Sequence, residues 1–201
     1  MITEHQFDPV FDCQQVFQSL MHALARPGKV FSIAENVRKI EGEYAPLMAA
    51  GMTLLDNWKT FFVCGAPELE EALHQMTYGV PGDAAEADYI FLPKGKTTLS
   101  LCRQMLSRAK IGTLPEPHKS ATIFVLVDSL TGGTAQTLEG PGIDGTIDVS
   151  LPEEAVIWIA ERQRMGFEFP CGLELFFLTP DGDVMGIPRK TRIGGDAQWD
   201  M

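Results

Sequence analysis

The chain has 201 residues, 45% hydrophobic and 21% charged, with 16 Lys and Arg against 27 Asp and Glu, a formal net charge of −11. A chain of that size is most simply one domain that buries about 70% of its unfolded-chain surface. The acidic balance excludes nonspecific nucleic-acid binding, which needs cations to release counterions from phosphates, and its overall field repels polyanions.

In chain order, residues 1–8 hold no basic segment followed by an apolar run, so no secretion signal is read there. No apolar stretch approaches the ~18 residues that span a bilayer, which leaves no expected membrane partner. Asp8-Pro9 offers an N-cap with proline at the first helical position, and Asp12 with Gln15 offers an alternative capping box. Val16, Phe17, Leu20, Met21 and Leu24 then recur at helical spacing. Arg26-Pro27-Gly28 stops this helix, because proline disfavours helical geometry before it and glycine permits a tight reversal. Residues 30–33 read as a strand. His22, among apolar helix positions with no second ligand nearby, reads as a packed or half-buried side chain.

A polar loop at 41–44 leads to a second apolar stripe, Leu47, Met48, Gly51, Met52 and Leu55, ended by Asp56-Asn57. Methionines in such a stripe more often fill core gaps than line a groove. Residues 60–64 are a short apolar strand of the type buried on both faces. Pro67 opens a helix whose Glu68, Glu70 and Glu71 complement its positive end. Residues 79–83 break that helix and 88–92 form the next strand. Leu99, Cys102, Met105, Leu106 and Ala109 mark a further helix, with Arg103, Arg108 and Lys110 toward its C-terminal half. Residues 112–120 carry Pro115 and Pro117 and form a loop in which His118-Lys119 is solvated.

Residues 122–127 are the strongest strand, followed by a turn at Gly132-Gly133 and the stretch Gln-Thr-Leu-Glu-Gly-Pro-Gly-Ile at 136–143. There a strand ends at Glu139 and Gly-Pro-Gly turns the chain. Gly140, Gly142 and Gly145 match the dinucleotide-binding spacing on paper. Pro141 removes an amide from it, however, and the alternating, β-branched residues that follow read as a strand where that site needs a helix. Ser150 and Glu153 suggest a capping box around Pro152, opening a helix through Val156, Ile157, Ile159 and Ala160. Residues 173–178 form an apolar strand with one acid, Glu174. Pro180-Asp181-Gly182 turns the chain, and 184–187 pairs back as a hairpin. Pro188-Arg189-Lys190-Thr191 follows, and residues 194–201 read as a loose tail.

Helices alternate with strands as far as Gly112, then strands cluster, and one helix precedes the closing hairpin. That order predicts a single α/β domain over residues 1–193: three α/β/α layers around a mixed sheet, parallel first and antiparallel late. For chemistry the chain offers little. Hydrolase triads, zincin motifs, phosphate loops and acidic metal loops are missing, and Cys13, Cys64, Cys102 and Cys171 form no Cys-x-x-Cys pair. The expectation is therefore four reduced thiols in a cytoplasmic protein, with no catalytic residue, cofactor or metal ligand named. The remaining candidates are Arg26 and Arg189, each beside a proline at a chain reversal, where a guanidinium can fork onto an anion or a partner. Their structural alternative is pairing with Glu174 or bonding exposed carbonyls.

Four segments in order carry a resemblance: the helix from Phe17 ending Ala-Arg-Pro-Gly28, Leu138-Glu-Gly-Pro-Gly-Ile143, Phe169-Pro-Cys-Gly-Leu-Glu-Leu175 and Gly186-Ile-Pro-Arg-Lys-Thr191. Together, from about Phe7 to Ile193, the chain resembles the H subunit of the bacterial carbon–phosphorus lyase core complex. It departs in having Glu174 where an aspartate is expected and in the tail after Ile193. The resemblance implies a homodimer and a mixed seven-stranded sheet, similar in topology to pyridoxal-phosphate-dependent transferases but without the cofactor site. It also implies assembly with the G, I and J subunits. That transferase complex displaces adenine from ATP with a phosphonate, giving a ribose 1-phosphonate 5-triphosphate during organic phosphonate catabolism. Nucleosidase chemistry is placed on I and radical iron–sulfur chemistry on J, so the H subunit is an accessory, structural one. The competing reading is an independent small-molecule enzyme that retains a ligand pocket from a transferase-like fold. Such a Schiff-base enzyme needs a supported lysine, and Lys94, Lys96 and Lys119 sit in polar loops. For the dimer, the apolar surface is expected at Met48 and Met52 or at Met105.

Overall fold

The computed structural model describes residues 6–194. Asp8 opens the first helix, α1 (Phe11–Ala25): its Oδ1 accepts the amides of Val10 and Phe11 at 2.8 Å each. Of the two caps read from the sequence, Asp8 is the one used. Asp12 instead sits buried, accepting from the Asp8 amide at 2.7 Å, Asn36 Nδ2 at 2.9 Å and Lys39 Nζ at 2.7 Å.

The chain continues through β1 (Val30–Ser32), α2 (Ala34–Val37), α3 (Ala45–Leu54), β2 (Thr60–Val63) and α4 (Pro67–Thr77). Next come β3 (Val80–Pro81), β4 (Tyr89–Leu92), α5 (Leu99–Arg108) and β5 (Thr122–Leu126). The last third holds β6 (Thr134–Glu139), β7 (Thr146–Leu151), α6 (Glu153–Arg164), β8 (Glu174–Leu178), β9 (Asp183–Ile187) and β10 (Arg192–Ile193). The alternating stretch after Gly145 is the strand β7, so the glycine spacing at 140–145 sits in a β-hairpin.

Seven strands form one mixed sheet in the order β1-β9-β8-β5-β4-β2-β3. From β3 to β8 the pairs are parallel, and β8-β9 and β9-β1 are antiparallel. Helices cover both faces. α1, α3 and α4 pack on the side that carries Phe61, Phe91, Phe124 and Phe176, and α5 and α6 on the side of Ile90, Ile123, Leu175 and Phe177. This is the α/β arrangement expected, with a buried aromatic row across it: Phe124 stacks on Phe176 at 4.9 Å and on Phe91 at 5.4 Å. A second sheet, β10-β6-β7, adds Leu138 and Leu151 to the α5/α6 core.

Several expectations need correction. α2, β3 and β10 are too short for periodicity to reveal; β10 ends at Ile193, and the next residue, Gly194, donates its amide to Thr137 O at 3.1 Å. The rest of the expected tail lies outside the described residues. The capping box at Ser150 does not form, because Ser150 lies in β7 and its hydroxyl donates to Gly133 O at 2.9 Å. His22 is exposed, with its ring stacked 5.9 Å from Phe31. The Met faces offered for a dimer are core: Met48 and Met105 are buried, and Met52 packs against the same cluster as Met48. The exposed apolar side chains of the first helix are Phe11, Phe17 (46% exposed) and Met21 (51%), preceded by Val10.

Candidate functional site

The four sequence segments meet at one junction, and glycines set how closely. A Cβ on Gly186 would lie 2.7 Å from the Ala23 carbonyl carbon, so α1 rests directly on β9. One on Gly28 would meet Val149 Cγ1 at 2.9 Å and Leu138 Cδ1 at 3.2 Å, which puts the turn after α1 against the small sheet. The Gly-Pro-Gly turn closes the other two sides: a Cβ on Gly142 would lie 3.0–3.1 Å from Pro27 Cδ and Ala25 O, and one on Gly140 would lie 2.9 Å from Lys190 O and Thr191 Cα. Gly172 (φ +144°) adopts a backbone conformation that side chains rarely allow, and a Cβ placed on it would lie 3.0 Å from Arg189 Cβ.

Two arginines fasten this junction. Arg189 Nε donates to Glu174 Oε1 at 2.6 Å while the Arg189 amide donates to Glu174 Oε2 at 2.7 Å. Its Nη1 donates to the carbonyls of Pro117 (3.0 Å) and Pro170 (3.1 Å). The glutamate at 174 thus makes a forked pair with the closing hairpin. Arg162, from the last turn of α6, is 3% exposed and donates to three carbonyls: Leu173 and Ile187 at 2.9 Å and Thr191 at 2.7 Å. Burial pulls its guanidinium down to about 10, with Glu174 opposing and Arg189 adding to that fall.

Clefts lie around these anchors. One of about 240 Å³ is lined by Arg162, Gln163, Arg189, Lys190, Thr191 and Arg192, among others. A neighbouring cleft of about 320 Å³ shares Lys190 and Arg192 and is otherwise lined by Glu139, Gly140, Pro141 and Phe169. Lys190 Nζ donates to Phe167 O at 3.0 Å and stands 5.5 Å from the centre of the Phe169 ring, itself 73% exposed. Burial lowers the Lys190 pKa, and the neighbouring Arg192, Arg189 and Arg162 lower it further. The third cleft, about 320 Å³, lies across the Gly-Pro-Gly turn and is lined by Arg26, Pro27, Lys29, Gly142 and Asp144 among others.

Of the two arginines singled out in the sequence, Arg189 therefore belongs to the cationic cleft and Arg26 to the one across the turn. Arg162, Lys190, Thr191 and Arg192 escaped sequence reading. Arg162 looks like an ordinary basic residue in a last helical turn, whereas the run Arg189-Lys190-Thr191-Arg192, three cations in four residues of an acidic chain, was a usable signal. The loop lysines Lys94 and Lys119 pair with Asp128 and Glu116. Burial pushes the Cys102 thiol up to about 12, which disfavours the thiolate. Among the described residues no three His, Cys, Asp or Glu side chains gather as metal ligands.

Fold and junction define a class: an α/β protein whose chain reversals converge on a cationic cleft beside the closing hairpin. A sequence profile of the bacterial phosphonate metabolism protein (PhnH) family matches residues 5–194, and the chain belongs to that family. It is 30% identical over 198 residues, 92% of each chain, to a Rhizobium meliloti (strain 1021) protein named alpha-D-ribose 1-methylphosphonate 5-triphosphate synthase subunit PhnH. It is 26% identical over 186 residues to HtxG of Stutzerimonas stutzeri, whose name assigns it provisionally to a C–P lyase. That match covers 90% of this chain and 85% of the relative.

Proposed function

We propose that this chain is an accessory subunit of a C–P lyase complex in organic phosphonate catabolism. It supports the transfer of a phosphonate onto the ribose of ATP with release of adenine. The observation that carries this reading is the family match from residue 5 to residue 194, which spans all four junction segments. The name of the Rhizobium meliloti relative, a ribose methylphosphonate triphosphate synthase subunit, supports the reaction assigned.

In this reading the chain is one cytoplasmic domain, works as a homodimer and assembles with the G, I and J subunits. Its sheet is related in topology to those of pyridoxal-phosphate-dependent transferases, and the parallel centre with antiparallel strands at one edge supports that comparison. Val10, just before α1, and Phe17 and Met21 within it follow one another at intervals of seven and four residues, beside the edge strand β1 with its exposed Val30. A two-fold dimer needs only one such patch, used by both copies. Arg26 and Arg189 stand at two of the junction clefts as anion or partner contacts. The genetic test is deletion of the gene for this chain in its own bacterium. Growth on methylphosphonate as sole phosphorus source should be lost and restored by the gene in trans, with growth on inorganic phosphate unaffected. Continued growth on methylphosphonate after the deletion would exclude the role.

A further inference from the structure

We propose that Lys190, Thr191 and Arg192 form a binding site for the phosphoryl or phosphonyl group of a small polyanion, whose organic part lies against Phe169 and Pro141. The first ground is charge. In a chain of net charge −11, four cations (Arg162, Arg189, Lys190 and Arg192) line one cleft. The carboxylates facing them are Glu174 and, on the adjoining cleft, Glu139. Glu174 is fully engaged by Arg189. Among the described residues no carboxylate comes within ion-pair distance of Arg162, Lys190 or Arg192. Arg162 is buried and Lys190 half-buried, positions where a cation without a counter-charge is costly, while Arg192 is exposed at the rim; an anion in the cleft removes that cost.

The second ground is an orphaned hydroxyl. Thr191 is 1% exposed and lines the same cleft, yet its Oγ1 has no hydrogen-bond partner among the described residues. Buried hydroxyls are normally satisfied, so one left without a partner in the wall of a cationic cleft points to an oxyanion acceptor that the described residues do not supply. Arg162 spends three of its five N–H donors on carbonyls, leaving two more for the same region. Several cations and a hydroxyl arranged around one space suit a multiply charged tetrahedral oxyanion better than a single carboxylate.

The third ground is the adjoining cleft, which shares Lys190 and Arg192 but is walled by Gly140, Pro141 and the exposed Phe169 ring. A ligand with its anionic end at Lys190 therefore has an aromatic platform for a base or alkyl group. This site is independent of membership in the complex, because it is measured on the chain by itself.

Calorimetric titration of the full chain at low ionic strength tests it, with tripolyphosphate, ATP, methylphosphonate and acetate as probes. One-to-one binding of tripolyphosphate is expected, with ATP at least tenfold tighter and acetate silent. Thr191→Val and Arg192→Ala should each weaken binding at least tenfold. Thr191→Val should melt at or above the wild-type temperature without ligand, since it deletes an unpartnered hydroxyl. Arg38→Ala, the same charge change at an exposed site elsewhere, should bind like the wild type. Absence of tripolyphosphate binding at millimolar concentration, acetate binding as tightly as tripolyphosphate, or equal weakening by Arg38→Ala would overturn the site. Wild-type affinity in both Thr191→Val and Arg192→Ala would do the same. ATP binding no tighter than tripolyphosphate would remove Phe169 and Pro141 from it.

Discussion

Replacing Arg162 with methionine probes the junction at its most buried polar group. The substitution keeps a long, flexible side chain but removes the donors that satisfy the carbonyls of Leu173, Ile187 and Thr191. Each buried acceptor left unpaired costs about 1–3 kcal/mol, so three together cost about 3–9 kcal/mol. Relief of the guanidinium's own desolvation, several kcal/mol for a buried ion, offsets part of that. The net expectation is a loss of about 3–5 kcal/mol, in the range found when one partner of a buried charged interaction is removed. For a domain of this length about 1 kcal/mol moves the melting temperature by roughly 2–4 °C, so a fall of about 6–20 °C is expected. Arg162→Lys, which can satisfy one carbonyl or two, should fall in between. The assay is urea and thermal denaturation followed by circular dichroism. If Arg162→Met melts within about 1 kcal/mol of the wild type, the three hydrogen bonds do not hold the junction together.

The other predictions are briefer. Gly186→Ala would place a methyl 2.7 Å from the Ala23 carbonyl carbon, so α1 must lift from β9; a loss of at least about 2 kcal/mol is expected, and an unchanged melt contradicts the close approach. Burial alone would raise the pKa of Asp12, but hydrogen bonds from Lys39, the Asp8 amide and Asn36 hold it below the ordinary 3.8. Its contribution to stability is therefore present above pH 3.8 and disappears as the pH falls through the lower, folded value. Asp12→Asn should flatten the acid limb of a urea-midpoint profile, and an acid slope equal to that of the wild type would count against this pairing. Phe17→Glu combined with Met21→Glu should convert a dimer to a monomer by analytical ultracentrifugation, and a dimer that survives both changes does not use the α1 stripe.

The sequence made the mixed sheet legible because its strands and helices are separated by strong punctuation: Arg26-Pro27-Gly28, Asp56-Asn57, Pro67 and Pro180-Asp181-Gly182. It was silent on β3 and β10, which are two residues long and exist only through their partners. The Met48 and Met52 patch was misplaced for a physical reason. Residues 45–52 contain no charged or amide side chain, the mark of a helix buried all round, and α3 is indeed covered from Ala45 to Gly51. On α1 the apolar positions run too wide for one buried stripe, and Phe17 and Met21 are the surplus left at the surface. Arg189 was recognisable by its place after Pro188. Arg162 was not, because its partners lie 11 to 29 residues away and no local pattern announces them.

Membership of a C–P lyase complex is tested most directly by co-expressing this chain, with an affinity tag, beside the G, I and J subunits from the same bacterium. After capture on the tag and gel filtration, all four chains should elute together at fixed stoichiometry. Recovery of this chain alone, while the other three subunits still assemble with one another, would contradict the role assigned to it.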